Sequence, residues 1–131
     1  MMKRLRILIV EDHEPSRHGL VGALHGYGHA IEAFATGEEA LSRLSAHEFD
    51  ILLTDLHLPG ISGFDVICGA RRIQPGIRTI IITAVADWEV RRWAGTQLVD
   101  AIFEKPIELD ELIARLESLL EPECGRCRMA V

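Results

Sequence analysis

A layered α/β fold, with a parallel sheet covered by helices on both faces, is the class the sequence predicts. Three observations point to it. Short aliphatic runs recur along the chain, and each is followed by a stretch with apolar residues spaced for one face of a helix. The runs are apolar nearly throughout, as strands buried on both faces must be, instead of alternating as in a half-solvated sheet. Turn-forming residues such as Pro59-Gly60 and Pro75-Gly76 punctuate the pattern. At 131 residues and 48% hydrophobic, the chain is the size of one domain with enough apolar material for a core.

Taken in order, Leu5 to Val10 is the first strand. Pro15-Ser16 starts a helix with Leu20, Val21 and Leu24 on its apolar face, ended by Gly26 and Gly28. Ala30 to Phe34 is the second strand. Thr36 caps the next helix, with Glu38 and Glu39 in its first turn and Ala40, Leu41 and Leu44 inward. Ile51 to Thr54 is the third strand and ends at Asp55. A helix then carries Phe64, Val66, Ile67 and Ala70 toward Pro75. Thr79 to Ile82 is the fourth strand, ending at Thr83, and the fourth helix bears Trp88 and Trp93. Those two lie five apart and do not share a face, so one is expected to be exposed for a partner. Ala101 to Glu104 is the fifth strand, and the last helix runs from about Leu109 to Leu120, with Leu112, Ile113, Leu116, Leu119 and Leu120 on its apolar side. The pattern is that of a flavodoxin-like doubly wound fold: five parallel strands in the order 2-1-3-4-5 and five helices. The domain is expected to cover residues 1–121, with 122–131 as a flexible tail.

With 20 acidic and 14 basic residues, the net charge of -6 argues against a nucleic-acid surface and offers nothing to an anionic membrane. No apolar stretch approaches a membrane span, and Glu11-Asp12 follows the first apolar run too closely for a secretory signal. Three cysteines make no disulfide framework, and the Cys124–Cys127 pair in the tail reads as two reducible thiols. The expectation is a soluble, cytoplasmic chain.

In a doubly wound sheet, ligands gather at the carboxyl ends of the strands. Those ends bring Glu11 and Asp12, Asp55, Thr83 and Lys105 to one rim. Clustered carboxylates suit a hard divalent cation such as Mg2+. Such an ion would relieve the repulsion that otherwise keeps a phosphate from Asp55 as nucleophile. Lys105 and Thr83 can hold phosphoryl oxygens by hydrogen bonds. Taken alone, each residue has a bland reading as a solvated loop or strand-end group; only their convergence singles them out. His13 and His57 beside the rim read as solvent-facing polar groups, not as a transition-metal centre.

The runs Glu11-Asp12, Thr54-Asp55-Leu56-His57-Leu58-Pro59-Gly60-Ile61-Ser62-Gly63, Thr83-Ala84 and Lys105-Pro106 resemble those of two-component response-regulator receiver domains. The resemblance covers roughly Leu5 to Leu120, in matching order. It implies that Asp55 is the phosphoacceptor and that Glu11, Asp12, Asp55 and the main-chain carbonyl of His57 hold Mg2+. It further implies that Thr83, Ala84 and Lys105 contact the phosphoryl group, and that the Lys105-Pro106 bond is cis. The implied donor is a histidine kinase or phosphotransfer protein. The implied target is a protein docking on the face formed by the fourth helix, the fifth strand and the last helix; a weak homodimer is left open.

Where the family usually carries an aromatic switch residue, this chain has Ile102, with Phe103 next to it. His57 and Val85 are expected to border the path of the water that removes the phosphoryl group, and so to tune its lifetime. The eleven residues after Leu120 are too few for an output domain, so the expectation is a stand-alone regulator similar to chemotaxis regulators. A fragment of a larger regulator or hybrid kinase is the alternative. An aspartate-nucleophile phosphatase ranks lower, because His57 stands where its second aspartate belongs.

Overall fold

Residues 4–84 and 98–119 are described in the computed structural model. Along the chain the elements are β1 (Arg6–Val10), α1 (Glu14–Gly26), β2 (Ala30–Phe34), α2 (Gly37–Leu44), β3 (Ile51–Asp55), α3 (Gly63–Ile73), β4 (Arg78–Thr83), β5 (Ala101–Glu104) and α4 (Leu109–Leu119). The five strands form one sheet in the order β2-β1-β3-β4-β5, every neighbouring pair parallel. Four of the five expected helices lie among the described residues. The helix expected at Trp88 and Trp93, together with Val85, Leu120 and the tail with Cys124 and Cys127, falls outside them. No helix among the described residues is long and apolar enough to cross a membrane.

Alternation along each strand divides the core in two. Leu8, Val10, Leu52 and Ile81 pack beneath α2 and α3, against Ala40, Leu44, Val66, Ile67 and Ala70. Ile7, Ile9, Ile51, Leu53, Ile80 and Ile82 face the other way, against Leu24 of α1 and Leu112, Ile113 and Leu116 of α4. Both faces being covered explains why these strands are apolar throughout.

Local chemistry sets the helix starts. Thr36 caps α2 as expected, its hydroxyl accepting from the Glu39 N–H. Ser62 and Asp65 form a reciprocal capping box on α3. Helix α1 begins at Glu14, one residue before Pro15, because His13 is its cap: ring Nδ1 faces the Ser16 N–H at 3.4 Å and the Ser16 hydroxyl at 2.7 Å. Three glycines of α1, Gly19, Gly22 and Gly26, have nothing within 4 Å of where a Cβ would sit. Packing does not require them.

The first strand begins at Arg6 and not at Leu5, because the Leu5 N–H is taken by Nδ1 of His29 at 3.1 Å. His29 is 2% exposed, and its Nε2 is buried with no partner. Burial pushes its pKa below the usual histidine value, against a smaller upward pull from Glu117. A histidine held neutral in the fold but free to protonate when unfolded favours the folded state fully only above its unfolded pKa of about 6.5. Below that, stability falls until the folded pKa is reached. Urea denaturation from pH 7.5 downward should show an acid-side loss of up to about 1.4 kcal/mol per pH unit from this residue. His29→Asn, which keeps an acceptor for Leu5, should lose that component; an identical slope in both proteins would remove His29 as its source.

Candidate functional site

The carboxyl ends of β1, β3 and β5 and the loops they feed bring together the residues singled out above. Each strand ends for a local reason. β1 gives way at Glu11, whose N–H is the last to bond across to β2, at the Phe34 carbonyl, 3.0 Å away. β3 is central in the sheet, paired to both β1 and β4, and Asp55 is its last residue. Just beyond it, the Gly63 N–H donates to the Leu56 carbonyl at 2.9 Å. A Cβ on Gly63 would collide with the carbonyl oxygen of Asp55, so only glycine lets α3 close this tightly on the strand end.

Glu11, Asp12 and Asp55 place one carboxylate oxygen each within 4.8 Å of one another. Glu11 is buried, Asp55 partly buried and Asp12 exposed. Lys105 answers this charge: its Nζ donates to Oε1 of Glu11 at 2.7 Å and to Oδ2 of Asp55 at 3.2 Å. The other oxygen of Glu11 accepts from the His13 N–H at 3.1 Å. Burial is the largest influence on Glu11 and raises its pKa, helped by repulsion from Asp55 and opposed by Lys105 and the His13 N–H. Burial also works against the Lys105 ammonium, but its hydrogen bonds and the field of the two carboxylates together hold its pKa above the ordinary lysine value.

The remaining predicted residues that are described stand at or just after the ends of β3, β4 and β5. Thr83 ends β4 and is buried, and its carbonyl accepts from the Lys105 N–H at 2.8 Å. Ala84 and His57 are exposed. The Lys105-Pro106 peptide is cis, as expected. Ile102 is partly buried against the core beneath α2 and α3. A cleft of about 340 Å³ opens beside Lys105, lined by Ser16, Gly19, Leu20 and Ala23 of α1 and by Pro106 and Ile107 after β5.

Arg17 escaped the sequence reading. Its Nη1 donates to the carbonyl of Glu11 at 2.9 Å, reaching back from the first turns of α1. A basic residue on a helix next to an acidic loop carries no sequence signal that separates this role from an ordinary surface charge.

The oxygen-only donor set, partly open to solvent, fits a hard divalent cation. An Asp55 oxygen beside an ammonium and a buried hydroxyl-bearing strand end fits an electrophilic phosphorus with its oxygens held.

The family described as "Response regulator receiver domain" matches residues 7–117. The chain is 36% identical over 121 residues to the two-component response regulator PhoP of Pseudomonas aeruginosa, covering 92% of this chain and 54% of that protein. It is also 36% identical over 119 residues to the transcriptional regulatory protein TcrA of Mycobacterium tuberculosis, covering 88% and 46%. The chain thus spans about half the length of these curated relatives. Among solved structures it is similar to a CheY-like response regulator receiver domain protein of Methanospirillum hungatei, at a TM-score of 0.85 and 28% identity, covering 94% of this chain and 99% of that one. It is likewise similar to the response regulator TrrA of Thermotoga maritima in complex with Mg(2+)-BeF, at a TM-score of 0.80 and 30% identity, covering 88% and 99%.

Because Lys105 is the cation drawn into the three carboxylates, its removal leaves Glu11 buried beside Asp55 without its bond. Lys105→Ala should fold but lose about 1–3 kcal/mol in urea titrations without divalent cations, and Mg2+ should restore part of it. A midpoint equal to wild type without Mg2+ would show that the pair contributes nothing to the fold.

Proposed function

The chain belongs to the response regulator receiver domain family, and from that premise we propose that Asp55 accepts a phosphoryl group from a phosphohistidine on a histidine kinase or phosphotransfer protein. Receiver domains are signalling regulators of two-component systems and not classical enzymes. The observation that carries the assignment is the convergence of Glu11, Asp12 and Asp55 with Lys105 bonded between two of them.

In this reading an Asp55 oxygen attacks phosphorus, the P–N bond of the donor breaks, and its electron pair returns to the imidazole. The product is an acyl phosphate on Asp55. Glu11, Asp12, Asp55 and the main-chain carbonyl of His57 hold Mg2+, which when bound supplies the positive charge that lets an anionic phosphate approach. Lys105 already reaches Asp55, and on phosphorylation it passes to a phosphoryl oxygen. Thr83 offers its hydroxyl from the end of the neighbouring strand, and the main chain at Ala84 completes the cradle.

Residues 1–121 form the receiver unit, and output runs through protein contacts on the side of β5 and α4. Those contacts serve a separate partner or a further domain. With a net charge of -6 on the whole chain, this unit is not proposed to touch nucleic acid. Self-dephosphorylation is slow in this reading. His57 lies at the rim, whereas Val85, its proposed counterpart, lies outside the described residues.

Two experiments test the reading. With acetyl phosphate and Mg2+, intact-mass measurement should show one phosphoryl group on wild type and none on Asp55→Asn, and chelation of Mg2+ should abolish labelling. Equal labelling of both proteins would sink the assignment. With beryllofluoride, Thr83→Ala should lose most of the wild-type amide-shift pattern. Ile102→Ala should keep that pattern while losing about 2 kcal/mol of stability. Loss of the activated spectrum in Ile102→Ala alone would transfer the switch to that residue.

A further inference from the structure

Resting on the metal reading above, we propose that Arg17 is a positioning residue for the acidic loop, setting through the Glu11 carbonyl the direction in which Asp12 meets the cation. Four polar groups of Glu11 are engaged in this structure. Its N–H bonds to the Phe34 carbonyl, and its carboxylate oxygens accept from Lys105 and from the His13 N–H. Its carbonyl lies beyond the last paired residue of β1, Val10, so the sheet does not hold it. Arg17 supplies that hold at 2.9 Å with a side chain only 17% exposed.

The carbonyl matters because the peptide it belongs to is planar. Fixing the Glu11 oxygen fixes the plane that joins Glu11 to Asp12, and with it the position of the Asp12 Cα from which the carboxylate projects. Asp12 is the exposed member of the acidic cluster and so depends most on its backbone for direction. The anchor itself is well seated. The Arg17 N–H donates to the His13 carbonyl at 2.9 Å, so the same helical turn that carries the guanidinium closes on the loop it braces. Arg17 also forms an ion pair to Glu14 at 3.9 Å, but that carboxylate is 71% exposed, and such a pair does little.

Charge and geometry make opposite demands here, and this gives the proposal its test. A guanidinium held on the acidic loop repels an incoming divalent cation, so deleting it on grounds of charge alone tightens Mg2+ binding. Deleting a brace weakens it; supports behind metal ligands commonly matter by roughly tenfold or more.

The experiment is a calorimetric Mg2+ titration of the full chain as wild type, Arg17→Met and Arg17→Lys, with Asp12→Asn as the control that loses the site. The expected result is roughly tenfold weaker Mg2+ binding in Arg17→Met, partly recovered in Arg17→Lys. Acetyl phosphate labelling should need correspondingly more Mg2+ for half its maximal rate, yet reach the wild-type rate at saturation. Mg2+ binding in Arg17→Met as tight as or tighter than wild type overturns the proposal, as does a rate that stays low at saturating Mg2+. Wild-type protein that binds no Mg2+ overturns the metal reading itself, a different and separately visible result. Should Arg17→Met not fold, Arg17→Gln read by the same titration decides.

Discussion

Three carboxylates brought within 4.8 Å of one another are the constraint around which the rest is arranged. Like charges at that spacing repel, and one of them, Glu11, is also buried. The sheet order makes the crowding unavoidable: β3 lies directly beside β1, so the loop after one strand meets the end of the other. The chain offsets the repulsion by bringing Lys105 in from β5, beyond β4, and by giving Glu11 a backbone donor at His13. A fold that holds this much negative charge together at rest is poised for any cation that can relieve it. That tension links the architecture to a signalling role.

Much of this was legible in the sequence. The strand positions followed from aliphatic runs, and β2 and β5 match residue for residue; β1 and β3 differ by one residue at one end, and β4 by one at each end. The helix cap at Thr36 was read from its hydroxyl-then-acid pattern, which is local chemistry and so visible without the fold; Ser62 obeys the same pattern but was not read as a cap. The acidic cluster and Lys105 were found because the parallel topology places strand ends together, a rule that needs only the order of elements.

What was not legible depends on distant residues meeting. Gln74 ties the end of α3 to the loop before β3, donating to the carbonyls of Leu44 and His47 and accepting from the Phe49 N–H. Asp100 gathers Arg71 and the Thr79 N–H at the entrance to β5. His29 displaces Leu5 from the first strand, and Arg17 clasps a carbonyl six residues behind it. Polar side chains of this kind follow no periodicity, because each answers a particular backbone group left over by the fold.

The open glycines of α1 give that helix an unusual character. Glycine in a helix interior costs about 1 kcal/mol relative to alanine, and neither Gly19 nor Gly22 recovers any of it in packing. Helix α1 is therefore held to the sheet mainly by Leu24 and the partly buried Leu20 and Val21 on its inner side, with little helical preference of its own. In the language of native-state fluctuations, its backbone amides should open more readily than those of β1 and β3, which lie beneath it in the sheet. The wall of the cleft beside Lys105 is thus the softer partner, and the strand that carries Asp55 the harder one.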